Sequence, residues 1–94
     1  MTRDEYVRKL HSRLDQWNGE ISALAERADR IEKSALAEFG VRMEDLRNRR
    51  DAAKAQLQQL EQASEGAWQD LRAGLDQAWD AVAQALEAAR SHYK

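Results

Sequence analysis

Apolar residues recur along the first third of the chain at steps that alternate between three and four, and this spacing constrains the fold most. The series runs through Val7, Leu10, Leu14, Trp17, Ile21, Leu24, Ala28, Ile31 and Ala35. Alternating steps of three and four place all of these residues on one narrow stripe of an α-helix, which is the a/d pattern of a coiled coil. Because a single helix cannot cover its own stripe, another helix must pack against it.

The composition favours helix along the whole chain. The 94 residues include no proline and only four glycines, and 34% of them are charged while 6% are aromatic. This mixture is typical of long solvated helices. Thr2 and Glu5 fit a capping box, in which each side chain satisfies a free backbone amide at the helix start. We predict a single all-α domain of long helices that form a coiled coil, a helical hairpin or a bundle, in an oligomer.

Glycine marks the candidate interruptions of the first helix. Asn18-Gly19 is normally a turn signal, but the apolar phase passes through it unbroken. Gly40 lies in a stutter over residues 35–43, where an extra four-residue step unwinds a coiled coil. It either ends the helix in a hairpin or lies inside a continuous helix. The absence of a turn cluster around it favours continuity, which predicts one helix over residues 3–63.

The second half of the chain carries a different pattern. Residues 64–66 are a possible hinge, at which Ser64 would cap a new helix. Residues 67–93 then repeat with a period of eleven, so that Trp68 corresponds to Trp79 and Leu75 to Leu86. A period of eleven predicts a nearly straight amphipathic helix. Before the hinge, Arg50 falls in a core position of the heptad pattern.

The apolar stripe of residues 67–93 has two interpretations. A strip of small residues flanks it, which favours one wall of a helical bundle because alanine and glycine let a second helix approach closely. Its tryptophans could instead enter the headgroup region of a membrane. The polar face of this segment is acidic, whereas membrane-surface helices usually carry lysine and arginine there. The bundle interpretation is therefore favoured.

We expect the functional surface to be a helix–helix interface rather than an active site. The predicted interface residues are Val7, Leu10, Leu14, Trp17, Ile21, Leu24, Ile31, Met43, Leu46, Leu57, Leu60, Trp68, Leu71, Leu75, Trp79, Val82 and Leu86. The predicted partner is a second copy, as an antiparallel homodimer or a higher bundle, or another helical protein. The alternative function is a peripheral membrane protein that binds lipid through residues 67–93.

The chain has few residues of the types that catalyse reactions or bind metal ions. The chain has no cysteine, and neither His11 nor His92 has a metal-binding partner at helical spacing. We expect both histidines to be exposed, and we predict no catalytic, cofactor-binding or metal-ligating residue and no enzyme activity. Arg42, Arg47 and Lys54 belong to a basic cluster, but acidic residues interleave with it. With a net charge of −2, nucleic acid is not an expected partner.

The first residues are polar and no long apolar run follows, so the expected location is cytoplasmic, with membrane association under the alternative function. Four segments together resemble a group of small bacterial coiled-coil proteins, some of which are stress-response proteins. These are residues 14–18 (LDQWN), 43–47 (MEDLR), 67–71 (AWQDL) and 78–79 (AW). The resemblance covers most of the chain and implies a non-catalytic, stress-linked role. The eleven-residue repeat is also similar, more distantly, to apolipoprotein-like helices.

Overall fold

Three α-helices lie side by side in a computed structural model, which describes residues 2–93. Helix α1 spans Arg3–Ala25, α2 spans Leu36–Gln62 and α3 spans Glu65–His92. Tyr6 near the start of α1 contacts Trp68 near the start of α3, and Trp17 contacts Trp79 further along both helices. Helices α1 and α3 are therefore parallel. Helix α2 runs antiparallel to both. The result is an up-down-up bundle of 51 × 18 × 17 Å, which confirms the all-α prediction.

Thr2 caps the start of α1 as predicted, but the Glu5 carboxylate accepts from the Thr2 hydroxyl rather than from its backbone N–H, so only half of the predicted capping box forms. The Thr2 hydroxyl oxygen accepts a hydrogen bond from the Glu5 backbone N–H at 3.2 Å, and the hydroxyl donates to Glu5 Oε1 at 3.1 Å. A free amide of the first turn is thereby satisfied. Gly19 lies inside α1, so the Asn-Gly pair does not form a turn.

The prediction of one helix over residues 3–63 is wrong. The chain turns between α1 and α2, through 3₁₀ turns at Glu26–Arg30 and Lys33–Ala35 that flank extended Ile31 and Glu32. This turn lets α2 cover the stripe of α1, and the gain from burial outweighs the local helix preference of the segment. The hairpin therefore forms before Gly40, which lies within α2.

The second turn lies where the hinge was predicted. Ala63 and Ser64 are extended, and the Ser64 hydroxyl oxygen accepts a hydrogen bond from the Ala67 N–H at 3.3 Å. The predicted cap is confirmed. Helix α3 begins at Glu65 rather than at residue 67, so Gly66 lies in its first turn.

Arginines near the two ends of α1 cap the C-termini of the other helices. Arg3 donates from Nη1 to the backbone oxygen of Ala63 at the end of α2. Arg27 Nη1 donates to the backbone oxygen of Tyr93 at 2.8 Å and to that of Arg90 at 3.5 Å. A cation at a helix C-terminus satisfies free carbonyls and complements the helix dipole.

Candidate interaction surfaces

Most of the predicted interface residues form the core of a single chain. The apolar positions of α1 from Leu10 to Leu24, those of α2 and those of α3 are buried against one another. The burial that the apolar stripe requires is therefore met within the chain. Val7 and Ile31 are only partly buried and pack against the edge of the core. Arg50, in its core position, is partly exposed and its guanidinium reaches Asn18 Oδ1 at 3.3 Å.

Leu71 departs from the prediction because 42% of its surface is exposed. It lies on the edge of the α3 stripe, beside Gln56 and Gln59 of α2 and next to Gly74 on its own helix. These neighbours are polar or have no side chain, so they do not cover a leucine. Leu71 therefore contributes to the surface rather than to the core.

Three aromatic pairs connect α3 to the other helices. The ring centroids of Tyr6 and Trp68 lie 6.0 Å apart, and those of Trp17 and Trp79 lie 4.7 Å apart. Phe39 and Tyr93 meet edge to face at 4.9 Å. Such pairs add roughly 0.5–1.5 kcal/mol beyond the area that they bury. Tyr6 was not predicted as a core residue, although it stands four positions before Leu10 and so on the same helical stripe.

An arginine covers each aromatic pair at the protein surface. The Arg72 guanidinium carbon lies 5.3 Å from the Tyr6 ring centroid, and that of Arg13 lies 5.4 Å from the Trp17 ring centroid. Arg42 lies 6.0 Å from the ring of Tyr93. These cations therefore take part in packing, because the electron-rich ring faces attract them.

Tyr6 carries the one clearly shifted ionisation within residues 2–93. Its ring is buried and its hydroxyl donates a hydrogen bond to Asp76 Oδ1. Burial raises the pKa of Tyr6 far above its ordinary value of 10, and the hydrogen bond to Asp76 and that carboxylate's charge raise it further. The positive charges of Arg72 and Arg13 oppose this shift. Tyr6 therefore stays neutral and joins α1 to α3.

Two buried polar atoms have no hydrogen-bond partner within the described residues. They are Nε1 of Trp79 and the hydroxyl oxygen of Tyr93. A buried polar group without a partner costs roughly 1–3 kcal/mol. Both side chains are held by the aromatic packing around them, which compensates for this cost.

A face rich in small and uncharged residues covers the outside of α2 and α3. Two rows of residues with alternating steps of three and four form this α2–α3 face: Val41, Asp45, Asn48, Ala52, Ala55 and Gln59 on α2, and Ala67, Leu71, Gly74, Ala78, Ala81, Ala85 and Ala88 on α3. Asp45 is the one carboxylate in the two rows. Arg42 and Arg49 border the α2 row on the side of α3, and they pair with Glu38 at 3.1 Å and with Asp45 at 2.8 Å. Ala78 and Ala85 are partly buried and the other members are exposed. Part of the small-residue strip on α3 was predicted from the sequence, whereas the matching row on α2 was not.

A polar groove opens between α1 and α2 on the side away from α3. Its volume is about 550 Å³, and Leu14 and Leu57 form its floor. His11 Nε2 lies 2.6 Å from Glu61 Oε1 at one end, and Arg50 reaches Asn18 at the other. We call this feature the α1–α2 groove. As expected, His11 is largely exposed, as is His92. The groove was not predicted because it depends on how two distant segments meet.

Part of the basic cluster of α2 is paired with neighbouring carboxylates. Arg42 pairs with Glu38 at 3.1 Å, and Arg50 pairs with Asp51 at 3.1 Å. Such exposed pairs contribute only about 0.2–1 kcal/mol to stability, but they neutralise part of the charge that would attract phosphate.

The rings of Trp68 and Trp79 are 2% and 0% exposed. The apolar stripe of α3 thus faces the other two helices, and a lipid surface would reach these rings only if the bundle opened. Among residues 2–93, no helix combines the length and the apolar character needed to cross a bilayer. Nor does that part of the chain bring together three side chains of the kinds that commonly hold a metal ion.

Comparison with known proteins gives no relative from which a function could be transferred. No protein-family model matches the chain, and neither a curated protein nor a solved structure shows significant similarity to it.

Proposed function

We propose that this protein is a non-catalytic interaction module that associates with a second copy of itself through the α2–α3 face. The observation that carries the proposal is that the two rows contain one charged side chain among thirteen residues, in a chain of which 34% is charged, while the bordering Arg42 and Arg49 are paired with carboxylates. Depletion of charged residues is characteristic of the centre of protein interfaces. Two of the three exposed large apolar side chains, Val41 and Leu71, also lie on the face.

The small side chains support contact with another helix in particular. The distance between packed helix axes is set by the side chains at the crossing, and alanine and glycine allow the closest approach. A face that meets its own copy about a two-fold axis must complement itself. This face does so electrostatically, because its one carboxylate and the two arginines that border it are already in ion pairs.

The size of the face indicates reversible association. The row on α3 is roughly 32 Å long at 1.5 Å per residue, and the bundle is 18 Å wide. The resulting footprint, roughly 600 Å² per copy, lies below the ~800 Å² of accessible surface that each partner buries in a standard interface. We therefore expect a dimer that dissociates on dilution, rather than an obligate oligomer.

Light scattering over a concentration series tests the proposal. The molar mass of the chain should rise from 10.8 kDa towards twice that value as the concentration increases. Ala81→Lys, which places a charge on the α2–α3 face, should keep the protein monomeric. Ala73→Lys is the matched control, because Ala73 is also exposed on α3 but lies outside the face.

A wild-type chain that stays monomeric at millimolar concentration would refute self-association. Equal association of the two lysine variants would instead place the interface elsewhere. The lipid-binding alternative stays a prediction that requires an open bundle, and a blue shift of tryptophan fluorescence on liposomes would support it. The stress-linked role implied by the resemblance to small bacterial coiled-coil proteins is likewise part of the proposal.

A further inference from the structure

The α1–α2 groove has the dimensions and the apolar floor of a small-molecule site. Its volume of about 550 Å³ falls within the range of roughly 300–1,000 Å³ that is typical of such sites. Leu14 and Leu57, which form the floor, are 7% and 1% exposed. An apolar segment of a ligand would therefore lie on the core of the bundle.

Two contacts between α1 and α2 close the two ends of the groove. His11 bridges to Glu61 at one end, and Asn18 bridges to Arg50 at the other. The two α1 residues are seven positions apart, which corresponds to roughly 10 Å along a helix. The bridges thus limit a ligand that lies along the floor to about this length.

One charge on each wall is left without an ion pair. Asp15 on α1 and Lys54 on α2 both line the groove. Within residues 2–93, neither forms a salt bridge within 4.0 Å, whereas Arg50 is paired with Asp51 and His11 Nε2 contacts Glu61 Oε1. A simple anion would be attracted by Lys54 but repelled by Asp15. A simple cation would be attracted by Asp15 but repelled by Lys54.

We propose that the α1–α2 groove binds a small zwitterion whose ammonium and carboxylate groups are joined by a short apolar chain. The carboxylate pairs with Lys54, the ammonium pairs with Asp15, and the chain lies on Leu14 and Leu57. Because both charged side chains are exposed, solvent weakens each ion pair. The binding of so small a molecule is therefore expected to be weak, with a Kd on the order of 1 mM.

An NMR titration of the ¹⁵N-labelled chain with 6-aminohexanoate tests the proposal. The backbone amide signals near Leu14 and Leu57 should shift and saturate. Hexanoate and hexylamine have the same apolar chain but carry one charge each, and each should bind at least fivefold more weakly. Lys54→Met and Asp15→Asn should each weaken binding of the zwitterion at least threefold.

Lys9→Met is the matched control for Lys54→Met, because Lys9 is exposed on α1 and does not line the groove. It should leave the affinity unchanged. The exchanged variant, with Asp15→Lys and Lys54→Asp together, keeps both charges in the groove and should recover binding. The proposal is overturned if no saturable shift occurs, if the singly charged compounds bind equally well, or if Lys54→Met has no effect.

Discussion

The indole rings of Trp17 and Trp79 lie with their centroids 4.7 Å apart and their planes inclined by 36°. Trp17 belongs to the seven-residue pattern of α1, and Trp79 belongs to the eleven-residue pattern of α3. The two periodicities, which occupy separate parts of the sequence, therefore meet in one core. Both indoles are buried, and Arg13 covers both rings.

Two leucines of α3 should respond differently to the same truncation. Leu86 is 1% exposed and Leu71 is 42% exposed. Leu86→Ala should lower the free energy of unfolding by about 2–5 kcal/mol, because it leaves a cavity in the core. Leu71→Ala should lower it by less than about 1 kcal/mol. Urea denaturation followed by circular dichroism measures both, and equal losses would contradict the assignment of Leu71 to the surface.

The contribution of Tyr6 to stability should depend on pH at alkaline values. At pH 8, Tyr6→Phe should cost about 1.5 kcal/mol through the lost hydrogen bond to Asp76. The folded-state pKa of Tyr6 is raised above the ordinary value of 10. Its contribution is therefore complete below pH 10 and is lost as the pH rises towards the folded-state pKa, by up to about 1.4 kcal/mol per pH unit.

The difference in unfolding free energy between the wild type and Tyr6→Phe should consequently shrink between pH 10 and pH 11, to near zero. Urea titrations at pH 8, 10 and 11 measure this difference, and the phenylalanine variant controls for every other group that titrates there. A difference that stays constant over this range would show that Tyr6 ionises as readily in the folded chain as in the unfolded one.

Tyr93→Phe should be tolerated or stabilising. The Tyr93 hydroxyl is buried and has no partner among the described residues, so its removal relieves a cost of about 1 kcal/mol. The edge-to-face contact with Phe39 is retained because the ring is unchanged. Thermal unfolding by calorimetry should show an unchanged or higher Tm. A marked loss of stability would mean that the hydroxyl has a partner in solution.

Arg27→Gln should loosen the end of α3. The variant removes the guanidinium that donates to the backbone oxygens of Tyr93 and Arg90, at a cost of about 1 kcal/mol. Hydrogen exchange of the Tyr93 amide, which donates to the Ala89 carbonyl, should become faster. Arg30→Gln changes the charge equally at an exposed position of the same turn, and it should leave this exchange rate unchanged.

Gly40→Ala should stabilise the protein by about 0.5–1 kcal/mol. Gly40 lies inside α2 without a positive φ angle, and an added Cβ would meet nothing within 4 Å. Alanine favours the helix because it restricts the unfolded chain. The midpoint of urea unfolding should rise, whereas a fall would indicate that the glycine is needed for the bend into α2.

Apolar spacing predicted the core well, because burial and helical geometry together determine it. Leu10, Leu14 and Ile21 of α1 and Leu75 and Leu86 of α3 are buried as the pattern requires. The small-residue strip of α3 was recognised for the same reason, since it follows from the helical period alone.

The position of the first turn could not be predicted from local signals. Ala28, Ile31 and Ala35 continue the heptad phase through the turn, and the segment contains neither glycine nor proline. The glycines that suggested breaks, Gly19 and Gly40, lie inside helices. Packing of whole helices decided where the chain reverses, and the α1–α2 groove and the row on α2 depend on that reversal.

Because the apolar stripes of the three helices are buried against one another within a single chain, folding is a unimolecular process. A chain present at a few copies per cell is then as completely folded as one present at thousands. Under the proposed self-association, abundance would set only how often two folded bundles meet, so that dimerisation would respond to expression level without exposing unfolded chains to proteases.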